Sequence, residues 1–223
     1  MQRQNIIDLS LIELEEFCLE LGFKPFKAKQ IWNWIYCFGK INFQEMTNLD
    51  KKTRKLLNEC SFIFRPKINS VHKSKDGTIK WLLEMDDKSL IETVFIPQGK
   101  RGTICISSQV GCTLSCTFCN TGTQKLVRNL STYEILGQIF TVIDHLNDWP
   151  MSKTNRKVTN LVMMGMGEPL LNYENVKKAL KIVMSSNGLC ISKRRITMST
   201  SGIVPMIEQC GKDLDVNLAI SLH

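Results

Sequence analysis

RGTICISSQVGCTLSCTFCN, residues 101–120, decides the fold: a short strand runs straight into a cysteine-rich loop. In the strand, Ile104 and Ile106 alternate with Thr103, Cys105 and Ser107, so one face is apolar and the other polar. The pattern recurs downstream, with Ile196 and Met198 between Thr197 and Ser199, and Val216, Leu218 and Ile220 between Asn217, Ala219 and Ser221. Strands are expected over 102–108, 158–164, 194–200 and 215–222. Helices at 132–146, 173–185 and 204–209 separate them, the first behind a Ser131/Glu134 capping box. Repeated β-α-β-α implies a parallel sheet. A strand buried on both sheet faces reads as apolar throughout. A polar second face instead suits the lumen of a loosely closed (β/α) barrel, whose sites sit at the C-terminal ends of the strands.

Upstream of the barrel pattern the chain changes character twice. Residues 1–66 read as a small helical domain: Ser10 and Glu13 form a capping box, and Leu11, Leu14, Phe17, Cys18 and Leu21 repeat at helical spacing up to Gly22. A second helix turns Ile31, Trp34, Ile35 and Phe38 inward, and a third begins after Asn48. Residues 67–98 read as a three-stranded β extension with turns at Lys75–Gly77 and Asp86–Ser89. Residues 99–223 carry the barrel pattern.

The 223 residues are 43% apolar and 22% charged, enough for a buried core and against wholesale disorder. No run of about 18 apolar residues exists, and acidic residues interrupt the N-terminal stretch, so the expectation is a cytoplasmic protein with no membrane contact. The net charge of +8 leans toward a polyanionic partner. Between Lys24 and Lys67 ten Lys or Arg face Glu45, Asp50 and Glu59, interleaved with Phe26, Trp32, Trp34, Tyr36, Phe38 and Phe43. Such a surface can hold phosphates and stack bases; equally, the aromatics can be core and the lysines a solvated face.

Nine cysteines in a reducing compartment point to metal or redox chemistry rather than a disulfide framework. Cys18, Cys37, Cys60, Cys190 and Cys210 are scattered and read as small buried hydrophobes. Cys112, Cys116 and Cys119 crowd into eight residues as C-x3-C-x2-C. Three thiolates on one loop can hold three corners of an iron-sulfur cube and leave one iron open. A closed zinc site wants a fourth ligand, and no histidine stands nearby, the three being His72, His145 and His223.

This motif after the first barrel strand, with Phe118 before the last cysteine, resembles the radical S-adenosylmethionine (SAM) superfamily. The words RGTICISSQVGC, NLVMMGMGEPL, SKRRITMSTSGIVP and VNLAISLH, with FKPFKAKQIWNWIY and FQEMTNL upstream, resemble its dual-specificity branch, which methylates carbon 2 of adenine in 23S ribosomal RNA and in tRNA.

The resemblance implies a 4Fe-4S cluster on Cys112, Cys116 and Cys119, and SAM held by Gly167, Glu168, Ser199, Ser221, Leu222 and His223. It further implies Glu92 as acceptor of the adenine ring proton, an electron donor such as flavodoxin, and Cys105 as the partner that resolves a covalent RNA adduct by forming a disulfide with a methyl-carrying cysteine. That second cysteine matches no position in this sequence. The family barrel has six strands and this chain supplies about four, so the ending reads as a C-terminal truncation, and the chain alone is expected not to methylate RNA. Two other functions fit the same residues: the related adenine carbon-8 methylase of antibiotic resistance, and a non-catalytic RNA-binding remnant.

Overall fold

The computed structural model describes residues 3–114, 116, 119–151 and 155–222. A two-residue strand, β1 (Gln4–Asn5), pairs in parallel with β2 (Ser61–Phe62) and ties the start of the helical segment to its end. Between them lie α1 (Leu11–Glu20), α2 (Phe26–Tyr36) and α3 (Lys51–Cys60). Ser10 and Glu13 cap α1 reciprocally, and Asp50 caps α3 by accepting from Thr53 N–H. Leu14, Cys18, Ile31, Ile35 and Leu57 are wholly buried between the helices. Half of the aromatic series is core too: Trp32, Tyr36 and Phe43 are buried, whereas Phe26 and Phe38 are exposed.

Three antiparallel strands follow, β3 (Lys67–Lys73), β4 (Ile79–Glu84) and β5 (Leu90–Gln98), and then β6 (Arg101–Cys105). The extension is not a separate sheet: β5 pairs along β6, with Val94 opposite Cys105. After β6, the short strands β7 (Gln109–Val110) and β8 (Arg128–Asn129) pair to close the cysteine loop at its base. Alternation resumes with α4 (Thr132–Leu146), β9 (Asn160–Met163), α5 (Tyr173–Met184), β10 (Ile196–Thr200), α6 (Val204–Asp213) and β11 (Asn217–Ile220).

These strands form one seven-stranded sheet in the order β11-β10-β9-β6-β5-β4-β3. The segment β6, β9, β10, β11 is parallel, in the register Cys105–Val162, Met163–Met198 and Ser199–Ala219. The sheet is open rather than closed, with β11 and β3 at its edges. A ring of strands needs more members than four to close on itself. The side-chain alternation holds: Ile104, Leu161, Ile196 and Met198 are fully buried under the helices, while Thr103, Cys105, Val162, Thr197 and Ser199 line the half-buried opposite face. α4 is buried on nearly every side because the helical segment covers its outer face, with Tyr36 against Phe140 at 5.6 Å and Phe64 against Tyr133 at 4.8 Å. Trp32 donates to Asn187 O at 2.7 Å and Glu13 pairs with Lys178 at 2.9 Å, which fixes the helices to α5 and the loop after it. Among the described residues no helix is long and apolar enough to cross a membrane.

Candidate functional site

The cysteine loop leaves the C-terminal end of β6 and returns close to its own start. Gly111 has φ +75°, and a Cβ there would stand 2.2 Å from Lys125 O, so the loop closes this tightly only on glycine. Cys112 bridges to Lys125, and its Sγ accepts the Leu114 N–H at 3.4 Å. Cys119 N–H donates to Cys116 O at 3.0 Å, and Gly122 N–H to Cys119 O at 3.0 Å. The described cysteines of this loop are half-buried free thiols.

The second wall is the turn after β9. Gly165 and Met166 are hydrogen-bonded onto residues 106–109: Gly165 N–H donates to Ile106 O at 3.0 Å, Met166 N–H to Ser107 Oγ at 3.0 Å, and Met166 O accepts from Ser108 N–H at 2.8 Å. Gly167 has φ +93°, and a Cβ there would meet Gln109 Cβ at 2.4 Å. Gln109, itself buried, accepts the Glu168 N–H at 2.9 Å and donates to Asn129 Oδ1 at 2.7 Å, so one side chain locks turn and cysteine loop together. The Glu168 carboxylate is buried. One oxygen accepts from Leu170 N–H at 3.1 Å, the other from the Ser201 N–H at 3.0 Å and hydroxyl at 3.1 Å. Behind this wall Gln138 of α4 accepts from Ser107 N–H and Thr93 Oγ1 and donates to Ser107 O, satisfying a wholly buried polar patch.

Between these walls lies a cavity of about 300 Å³ at the C-terminal ends of the parallel strands. It brings together Cys112, Cys116, Cys119, Gly167, Glu168, Ser199 and Ser221. Leu222 is 86% exposed and outside this lining; His223 and Phe118 fall outside the described residues. Cys105 is one residue back from the cavity on the same sheet face. Its thiol meets the Met164 N–H, and burial pushes it above its ordinary value. Glu92 also shares that face, two residues from Val94, and its backbone carbonyl accepts from Ser107 Oγ at 2.7 Å, but its side chain is exposed, outside the cavity lining, and pairs with Lys80 at 2.9 Å. Thr200, Ser201 and Met164 are among the lining residues that the sequence does not single out, and Gln109, behind the lining, is another. Gln109 stood inside the quoted word SSQVGC, and Ser201 one residue past the strand end.

Among the described residues, no three His, Cys, Asp or Glu side chains converge on one ion position. A cube distributes its ligands differently, one thiolate to each of three irons, so its sulfurs stand apart around a void. An all-sulfur donor set on one rim of the cavity, facing the close backbone approach at Gly167 and the carboxylate of Glu168, fits a cluster with one open iron beside an amino-acid ligand.

Residues 106–222, over half of the chain, match the model of the radical SAM superfamily. The chain belongs to that superfamily. Residues 4–63 match the ribosomal RNA large subunit methyltransferase N-terminal domain. A dual-specificity RNA methyltransferase RlmN of Rhodospirillum rubrum is 50% identical over 220 residues, covering 98% of this chain and 51% of its own length. The protein of that name from Granulibacter bethesdensis is 51% identical, covering 99% and 57%. The chain thus spans about half the length of these curated relatives. The crystal structure of a radical SAM methyltransferase from Sphaerobacter thermophilus superposes with TM-score 0.90 at 37% identity, over 99% of this chain and 64% of that one. The radical SAM fold is therefore shared.

Proposed function

We propose that the chain forms the cluster- and SAM-binding part of an RNA methyltransferase acting on carbon 2 of adenine in 23S ribosomal RNA and tRNA. The observation that carries this is the convergence of Cys112, Cys116, Cys119, Gly167, Glu168, Ser199 and Ser221 on one cavity at the strand C-termini. When bound, the 4Fe-4S cluster and SAM supply one-electron chemistry and the transferred carbon.

The chain's own residues would do the rest. Cys112, Cys116 and Cys119 would hold the cluster. Gly167 lets the backbone approach the ligand, and Glu168, pinned by Ser201 and Leu170, accepts from the ligand's ammonium. Ser199 and Ser221 offer hydroxyls from the polar sheet face, and the resemblance adds Leu222 and His223 as further SAM contacts. Glu92 takes the ring proton once it exchanges Lys80 for the base, which flips out of the RNA to reach the face shared by Glu92 and Cys105. Cys105, kept protonated by burial, stays unreactive until its disulfide partner arrives. That partner matches no position here, so residues 1–223 alone are expected to form no methyladenine. The helical segment 1–66 presents cations and the exposed Phe26 and Phe38 to RNA, in the cytoplasm, where a reductant such as flavodoxin reaches the half-buried cysteine rim.

Carbon 2 rather than carbon 8 rests on the resemblance of RGTICISSQVGC and FKPFKAKQIWNWIY to the dual-specificity branch, and dual specificity is the name the relatives carry. Disrupting the gene and analysing nucleosides from ribosomal RNA and tRNA by mass spectrometry tests it. Loss of 2-methyladenosine from both is expected; loss of 8-methyladenosine, or of neither, would overturn the assignment.

A further inference from the structure

At the opposite end of the sheet from the cysteine cavity, the strands begin among cations. A second, larger cavity of about 620 Å³ is lined by Phe95, Pro97, Lys100, Arg101, Arg156 and Lys157, with Gly99 and Asn155. Lys100 and Arg101 turn from β5 into β6, and Arg156 and Lys157 precede β9. The next strand, β10, begins behind Lys193, Arg194 and Arg195. No acidic side chain lines the cavity. The acids at this end are engaged: Asp148 accepts the backbone N–H groups of Lys157 and Val158, and Asp215 pairs with Lys193.

Gathering like charges is unfavourable unless an anion joins them. The strain is visible on Arg156. Its Nη atoms donate to Leu189 O at 3.0 Å and Cys190 O at 3.3 Å, which fixes the guanidinium, while its buried Nε has no partner. Burial and the neighbouring Arg195 both disfavour its charge. A guanidinium held in place at the cavity wall, beside the exposed Lys100 and Arg101, is suited to phosphate oxygens.

The footprint argues for a polyanion over a small ion. Three neighbouring strand starts spread over roughly 10 Å, at about 4.8 Å per strand, wider than one phosphate. The lining is also tied to the helical segment: Met151 N–H donates to Cys37 O at 3.0 Å, just past α2, and the chain runs on from there to residues 155–157.

We infer that the N-terminal ends of β6, β9 and β10 form a phosphodiester-binding base that holds the RNA backbone behind the sheet, remote from the reacting adenine. This rests on the RNA reading above. It assigns to Lys100, Arg101 and Arg156 affinity without base selectivity, since backbone contacts position rather than specify.

The test is binding of unmodified tRNA to the full chain by fluorescence anisotropy across a salt series, compared with Lys100→Glu/Arg101→Glu. Both side chains are exposed, and an unchanged circular dichroism spectrum and melting temperature confirm the variant's fold. The wild type is expected to bind with a steep salt dependence. The variant should lose at least tenfold in affinity at low salt, and its log–log slope should flatten by about one to two, at roughly 0.7–0.9 per phosphate contact. Bound tRNA should also shield Lys100 from amine acylation read by mass spectrometry. A wild type that binds tRNA while the variant matches it in affinity and slope, with Lys100 unshielded, overturns the base site and leaves the RNA reading intact. A wild type that binds no tRNA at any salt overturns both.

Discussion

Ser201 grips the buried Glu168 carboxylate twice, through its backbone N–H at 3.0 Å and its hydroxyl at 3.1 Å. The carboxylate stands in the turn after β9 and Ser201 just beyond β10, so the pair joins two strand ends across the cavity. Ser201→Ala keeps the backbone bond and loses the hydroxyl, a change of about 1 kcal/mol. SAM should then bind about five- to tenfold more weakly to reconstituted protein by calorimetry. An unaltered dissociation constant would mean that the aim of Glu168 does not matter to the ligand.

Gly167 combines φ +93° with a Cβ position 2.4 Å from Gln109, so Gly167→Ala pays for both backbone strain and a clash. Gly202 has φ +107° and nothing within 4 Å, so Gly202→Ala meets strain alone. Thermal unfolding should show the larger loss at Gly167, with each kcal/mol lowering the melting temperature by about 2–4 °C in a chain of this size. Equal losses would show that packing against Gln109 contributes little.

Arg128 forks between Glu134, through two bonds of 2.8 Å, and Asp87 at 2.7 Å, tying the β4–β5 turn to the base of the cysteine loop. The Arg128 guanidinium holds the Asp87 carboxyl well below its ordinary range. A depressed carboxyl pKa stabilises the fold above the unfolded value, near 3.8, and that stability is lost as pH falls below it. The gap in melting temperature between wild type and Asp87→Asn should be full at pH 6 and narrow below about pH 4. The pair is largely exposed, so the gap is modest, under about 1 kcal/mol. Persistence of the full gap at the lowest pH would contradict the pairing.

Cys105 is pushed above its ordinary value, 9.0, by burial. It should therefore be a protonated, slow-reacting thiol at pH 7.5, alkylated by iodoacetamide appreciably only at more alkaline pH. Peptide mapping by mass spectrometry reads this directly. Labelling at pH 7.5 as fast as a free exposed thiol would contradict the assigned environment.

Much of this was legible in local pattern. Both capping boxes, at Ser10/Glu13 and Ser131/Glu134, formed as the spacing dictates, because they depend on residues three apart. The alternation in 103–107 and 196–199 placed Ser199 on the ligand face because a strand's side-chain period is fixed. Contacts between distant segments left no such trace. Gln109 to Glu168 and Glu168 to Ser201 depend on which strands neighbour each other. Continuity of β5 with β6 likewise arises from pairing across a turn, so the extension read as a separate piece is one sheet with the barrel strands. α6 runs four residues beyond Gln209 because Cys210 packs into the core, against Met198 at 3.7 Å, a contact invisible in helical spacing alone.

On the proposed function, Cys112, Cys116 and Cys119 would hold a 4Fe-4S cluster in the cavity that Glu168 and Ser201 also line. Anaerobic reconstitution with iron and sulfide, followed by metal analysis and electron paramagnetic resonance of the reduced protein, tests it most directly. About four irons and four sulfides per chain are expected. A reduced-cluster signal that shifts on adding SAM is also expected, as is loss of both in Cys116→Ala. Bound zinc without sulfide, or a cluster retained in Cys116→Ala with a signal indifferent to SAM, would contradict it.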